Sequence, residues 1–324
     1  MSEENYYAKE QVSNSDLGEL KMSPRRFMMR KQHEINTQKS AAMELGSLIH
    51  GFALEPEKYV MADIAPVGGK MGEYIKAYFE LEKVGTPEDK IADMAYQMSG
   101  YKPSHSKPET VLKSFKNKEE NVTFYNFLKE ADGKIPLAAK DRQIIEGCLT
   151  SLRAHVVSNK LMFGETDENT EAFNEKEIYF TQHGTDCKSK LDRIIVDKDK
   201  KTVTIADLKT TSGLVYGECK NIGSKTGLLF RDWHTTGFLF NCLQYAYYRQ
   251  LAFYINAAKA DYDVQAFIIA VDTKGSYDVA VYQLPKEWIK EGNKEIKSLL
   301  TEYKHYKETN NWNIKKGYEE VVTY

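Results

Sequence analysis

The sequence predicts an α/β fold with a largely helical N-terminal half. Up to about residue 165, apolar residues recur at helical spacing between breaks rich in glycine and proline. From about residue 170, strand-length apolar runs alternate with turn residues, followed by a helix, two more strands and a last helix. A third observation sits inside that second half. "TIADLKTTSG" (204–213) ends an apolar run with an acid and a base two positions apart.

In "VSNSDLGELKMSPRRFMMRK", Ser13 or Ser15 is a helix N-cap ahead of Leu17 and Leu20, and Ser23-Pro24 opens a second short helix. "AAMELGSLIHGFALEPEKY" spaces Leu45, Leu48, Ile49, Phe52 and Ala53 along one helical face and ends near Pro56. Gly46 and Gly51 weaken that helix but admit close approach by a neighbouring backbone. Residues 60–165 are mostly helical and polar, broken at "PVGGKMG", "VGTPED" and "GYKPSHSKPE". Their clearest amphipathic helix is "AAKDRQIIEGCLTSLRAHVVSNKLM", with Ile144, Ile145, Cys148, Leu152 and Val156 at helical spacing. There is no repeat and no low-complexity tract.

"EIYFTQHGTDCKSKLDRIIVDKDKKTVTIADLKTT" predicts three strands joined by turns at "QHGTD" and "DKDKK". "FNCLQYAYYRQLAFYINAA" predicts one long helix, "VQAFIIAVDT" and "YDVAVYQL" two strands, and 286–309 a charged helix. The expectation is one domain over 1–324, with a helical part (1–165) around an α/β core (170–310).

Composition narrows the function classes. The chain is 41% hydrophobic and 28% charged, as in globular proteins, and no apolar stretch approaches the roughly 18–20 residues that span a bilayer. "MSEENYYAKEQ" is acidic and polar, unlike a signal peptide, so a cytoplasmic protein with no membrane partner is expected. Cys148, Cys187, Cys219 and Cys242 are scattered and form no CxxC pair, which argues against a disulfide framework or a structural zinc site. The net charge of −2 gives no global nucleic-acid footprint. Two local stretches do: "KMSPRRFMMRK" (21–31), with Arg25 and Arg26, and "CKNIGSKTGLLFRDWHTTG" (219–237). Such patches can hold phosphates, although solvated basic faces are common.

Read as strands, "SKLDRIIVD" puts Asp192 on one face with Ile194 and Val196, and "VTIADLK" puts Val203, Ile205, Asp207 and Lys209 on one face. Counting from a turn centred on Asp199 sets Asp192 roughly opposite Asp207. Two carboxylates suit a hard cation such as Mg²⁺ or Mn²⁺, and Lys209 could activate water or stabilise charge on phosphorus. The triplet D/E-x-K is weak by itself, since it recurs at Glu19, Asp132, Asp186, Asp199, Glu218 and Asp272. Only Asp207 adds an apolar strand, a preceding strand bearing an aspartate, and a following Thr-Thr turn. The plain alternative is an ion pair at a strand end.

"LDRII…TIADLKTT" resembles the core of the PD-(D/E)XK nuclease superfamily, which implies a restriction-endonuclease-like core of a mixed central sheet flanked by helices. Three further pieces resemble its RecE, or exodeoxyribonuclease VIII-like, phage recombination branch: the Ser-Pro helix start, the Gly-x-x-x-His helix in "GSLIHGFALEPEKY", and Gln-x-x-x-Tyr in "QYAYY". The resemblance runs from about residue 12 to 285. It implies that Asp192 and Asp207 ligate Mg²⁺ or Mn²⁺, that Lys209 assists the nucleophile, and that His50 is a further ligand or phosphate contact. It implies Gln244 and Tyr248 along the DNA channel and Glu177 as an additional acid. The connection from Lys209 to Gln244 is longer than the family's usual one, so the 210–240 insertion could be a DNA-gripping loop or a lid.

The implied activity is a Mg²⁺-dependent exonuclease attacking linear double-stranded DNA from a 5′ end. The same resemblance implies a homo-oligomeric ring, a single-strand annealing protein as partner, and a bacterial, phage or prophage setting. Two alternatives stand beside it: a structure-specific or single-strand nuclease of the same superfamily, with an iron–sulfur cluster, and a non-catalytic DNA-binding or assembly module on the same fold.

Overall fold

A computed structural model of the protein describes residues 6, 9–32, 40–61, 66–104, 106–131, 134–137, 139–214, 219–221, 233–235, 237–258 and 261–313. The chain divides into two compact units, Met1–Gly46 with Thr150–Tyr324, and Ser47–Leu149.

The first unit opens with α1 (Asn14–Met22) and α2 (Pro24–Lys31). Of the two serines the sequence offers, Ser13 caps α1, through a capping box with Asp16, and Ser23 caps α2 with Pro24 in its first turn. Helix α3 (Ala41–Leu54) begins in this unit and ends in the second. Its Gly46 is needed where it passes the end of a strand, because a Cβ there would lie 2.9 Å from Thr210 Oγ1. The close approach is to a side chain, not to a backbone.

The second unit continues with β1 (Tyr59–Met61), α4 (Gly69–Lys83), α5 (Glu88–Met98), α6 (Pro108–Asn117), α7 (Glu119–Glu130) and β2 (Ile135–Leu137), which pairs parallel to β1. Tyr74, Ile75, Ala95, Phe115 and Phe124 form its core. Helix α8 (Ala139–Ala154) leads back to the first unit and stops one residue before α9 (Val156–Phe163). The single helix expected over this stretch is therefore two. His155 breaks it and caps α9, its Nδ1 accepting the Ser158 N–H at 3.1 Å. That break is why Ile145, Cys148 and Leu152 are buried while Val156 is exposed.

The main sheet has five strands in the order β3-β4-β5-β8-β9. Strands β3 (Thr170–Gln182) and β4 (Thr185–Asp197) form a hairpin closed by His183 and Gly184. Both have positive φ (48° and 70°), the mark of the two-residue turn that matches strand twist. Strand β5 (Thr202–Thr211) is antiparallel to β4 and parallel to β8 (Asp263–Asp272), and β8 is antiparallel to β9 (Val279–Tyr282). Between β5 and β8 lie β6 (Cys219–Asn221), paired with β7 (Trp233–Thr235), then α10 (Gly237–Gln244) and α11 (Tyr247–Ala258). The remainder of 215–236, which holds most of the second basic stretch, lies outside the described residues.

The one long helix expected here is also two, α10 and α11, broken at Tyr245 and at Ala246, whose φ is +53°. Helix α11 packs on β3, β4, β5 and β8, and α12 (Lys286–Thr309) packs on α11. Gly292 allows that approach, since a Cβ would come within 2.7 Å of the Tyr248 carbonyl. Ile205, Ile268, Ala270, Leu251 and Trp288 are buried at the centre. Among the described residues, no helix is long and apolar enough to cross a membrane.

Candidate active site

The β4–β5 ladder runs from Asp197↔Thr202 to Arg193↔Ala206, and the next opposed pair is Asp192 and Asp207. Continuing that register by one residue sets the two aspartates at opposed positions where the strands part, the placement that counting from the turn predicts. Asp192 takes over from the ladder, its Oδ2 accepting the Leu208 N–H at 2.8 Å. Burial raises the Asp192 pKa, against the pull of the Lys209 charge, the Leu208 N–H and the Lys190 charge.

Asp207 is 1% exposed, and Lys209 Nζ lies 2.6 Å from its Oδ2. Burial by itself would depress the Lys209 pKa, but the charges of Asp207 and Asp192 outweigh it and hold the ammonium above the ordinary lysine value. The ammonium also stands 5.1 Å from the centre of the Tyr247 ring, at cation–π distance. The acid-base pair at the strand end is indeed an ion pair, but a buried one.

Two site residues escape the sequence reading. Gln250, on α11, donates from Nε2 to Asp207 Oδ1 at 3.3 Å and to the Tyr254 hydroxyl at 2.8 Å. Glu175, on β3, occupies the unpaired position opposite Asp192 and has φ +50°, in the left-handed region that non-glycine residues avoid. Glu175 and Asp192 each present a carboxylate oxygen, the two within 4.8 Å of one another. A set of carboxylate oxygens is the donor chemistry of Mg²⁺ or Mn²⁺, so these residues fit a hard divalent cation. No cysteine belongs to a metal-capable group among the described residues, and Cys148, Cys187 and Cys242 are buried free thiols. Cys219's side chain lies outside the described residues.

Several expected site residues stand elsewhere. Glu175, not Glu177, is the β3 acid opposite Asp192; Glu177 accepts a hydrogen bond from the Tyr179 hydroxyl at 2.6 Å and lies 3.9 Å from Lys9 Nζ. Gln244 and Tyr248 do not share a helix face, because the break at Ala246 separates them. Gln244 is exposed at the end of α10, and Tyr248 is buried with its hydroxyl 2.5 Å from Glu295 Oε2. The Gln-x-x-x-Tyr pair that reaches the site is the next one along the chain, Gln250 and Tyr254.

Arg26 and Arg30 both pair with Glu19, at 2.5 and 2.6 Å, Lys31 pairs with Asp16 and Lys21 with Glu295. The 21–31 stretch is therefore largely neutralised by acids outside it, leaving Arg25 exposed. His50 is half-buried on α3, one helical turn after Gly46 and on the same helix face.

A mixed sheet whose paired strands bring Asp192, Asp207 and Lys209 to one end, crossed by a helix that touches the acid, defines a PD-(D/E)XK-type chain. The comparisons agree. Residues 69–322 match the family described as "PDDEXK-like domain of unknown function (DUF3799)", and the chain belongs to that family. The crystal structure of a "putative exonuclease" from Eubacterium rectale is similar in fold, with a TM-score of 0.53 at 13% identity over 100% of this chain and 95% of that one. No curated protein matches the sequence.

Proposed function

We propose that the protein is a divalent-metal-dependent deoxyribonuclease. The observation that carries this reading is the buried Asp207–Lys209 pair set opposite Asp192, with Glu175 alongside. Glu175, Asp192 and Asp207 would hold Mg²⁺ or Mn²⁺, and His50, by the family resemblance, would add a nitrogen ligand or a phosphate contact. The cation when bound supplies Lewis-acid polarisation of a phosphate oxygen and acidifies the attacking water. Lys209, kept charged by Asp207 and Asp192, donates hydrogen bonds to the developing charge on phosphorus. Gln250 holds the Asp207 carboxylate in register.

The finer reading is an exonuclease degrading linear duplex DNA from 5′ ends in phage-type recombination, with a ring-shaped homo-oligomer and an annealing partner. It is supported by the order of motifs shared with the RecE-like branch and by the name given to the Eubacterium rectale protein of similar fold. The test is digestion of end-labelled linear duplex in Mg²⁺ by wild type and Lys209→Ala, beside a covalently closed circle. Loss of label from 5′ ends, sparing of the circle and a drop of about 10²–10³-fold in the variant are expected. Cutting of the circle would reject the end-dependent mode. No cutting in Mg²⁺ or Mn²⁺ would favour a DNA-binding module.

A further inference from the structure

Lys190 takes no part in the reading above, yet it sets a full positive charge against the candidate site. Its Nζ lies 2.6 Å from Glu175 Oε2, and the two side chains are only 17% and 19% exposed. Glu175 holds its strained left-handed backbone at this contact, opposite Asp192. Lys209 is paired with Asp207 and its charge also reaches Asp192, so the carboxylate that depends on Lys190 for its counter-charge is Glu175.

A divalent cation needs those same oxygens. It would stand within a few ångströms of an ammonium of like sign, where poor access to water leaves charges weakly screened. One pair of acids cannot serve both at full strength. We propose that Lys190 is the resident counter-ion of the metal-binding acids, neutralising Glu175 in the metal-free protein and giving it up when a divalent cation binds. The inference rests on the proposed reading of the site as a metal centre. It has a consequence for substrate. Three carboxylates and two ammoniums leave one net negative charge; adding the cation turns this to one net positive charge, the complement of a phosphodiester. Lys190, displaced from Glu175, is then placed to meet a phosphate.

The experiment is calorimetric titration of Mn²⁺ into wild type, Lys190→Met, Lys190→Gln and Lys190→Arg, with thermal melts of each in EDTA and in saturating Mn²⁺. Lys190→Met should bind Mn²⁺ about tenfold more tightly than wild type, about 1.4 kcal/mol. It should melt lower than wild type in EDTA but not in Mn²⁺, because the ion replaces the missing charge. Lys190→Arg should behave as wild type. Lys190→Gln keeps a donor to Glu175 without the charge, so it should follow Lys190→Met in affinity even if the methionine variant fails to fold. Wild-type or weaker Mn²⁺ binding in both neutral variants overturns the counter-ion role and leaves the metal centre standing. No Mn²⁺ binding by wild type removes the metal centre, and the inference with it.

Discussion

Gln250 decides how Asp207 presents its oxygens. Its amide reaches Oδ1 while Lys209 holds Oδ2, so the carboxylate is fixed from two sides. Groups that orient a ligand in this way typically contribute 10–100-fold to metal affinity or activity. Gln250→Ala should therefore lose about 10–100-fold in DNA cleavage and in Mn²⁺ affinity, while Gln244→Ala, on an exposed helix end, should stay near wild type. The reverse result would return the motif to Gln244. That Asp192, Asp207 and Lys209 come to one strand end was legible because a hairpin turn fixes register and two-residue spacing fixes side. Gln250 was not, because Gln-x-x-x-Tyr occurs twice within eleven residues of the sequence, at Gln244 and at Gln250. What selects the second is a backbone reversal at Ala246 that packing imposes and local preference does not announce. Glu175 was hidden for a related reason. Alternation describes extended residues, and a left-handed residue in mid-strand falls outside it.

Helices α1, α11 and α12 converge on one carboxylate. Glu295 accepts from the Tyr248 hydroxyl at 2.5 Å and from Arg249 Nη1 at 2.7 Å, and pairs with Lys21 Nζ at 2.8 Å. Arg249 in turn donates from Nε to Asn14 Oδ1 at 3.0 Å and is almost wholly buried. Burial would raise the Glu295 pKa, but the hydrogen bonds from Lys21 and Tyr248 and the charge of Arg249 outweigh it and hold it below the ordinary glutamate value. A depressed carboxylate stabilises the fold above its unfolded pKa, about 4.3, and the contribution disappears as pH falls through the folded value. Glu295→Gln leaves Arg249 a buried charge without its counter-ion, so it should lose about 3 kcal/mol at pH 7. In urea melts the gap from wild type should narrow steadily below about pH 4; a gap independent of pH would mean that carboxylate charge does not hold these helices together. At this scale the sequence was largely legible. The strand runs, the Ser13 and Ser23 caps and the span of α12 follow from alternation, capping chemistry and helical spacing. The breaks at His155 and Ala246 were not, because neither carries glycine or proline, the residues that mark breaks in a sequence.

The whole chain was expected to be a single domain with a helical N-terminal part, and its packing divides it at different points. The first 46 residues go with the sheet, and Ser47–Leu149 forms a compact unit inserted between them and Thr150. The sequence hides this because both boundaries fall inside helices, α3 and α8, rather than in linkers rich in glycine, proline or polar residues. The inserted unit has the makings of independent stability. It spans about 100 residues, within the usual size of a domain. Its aromatic core is its own: Tyr78 and Tyr125 pack edge-on against Phe115, and Tyr74 packs on Phe115 and Tyr78. The parallel pairing of β1 with β2 ties its two ends together, which closes the long loop between them. A fragment running from Ala41 to Ala154, which keeps α3 and α8 whole, should therefore show helical circular dichroism and melt in one cooperative transition. For about 100 residues the unfolding enthalpy should be about 60–80 kcal/mol. A broad, non-cooperative loss of ellipticity would mean that the unit depends on the rest of the chain to fold. Given a cooperative melt, the fragment should show no DNA cleavage in Mg²⁺, because Asp192, Asp207 and Lys209 all lie outside it.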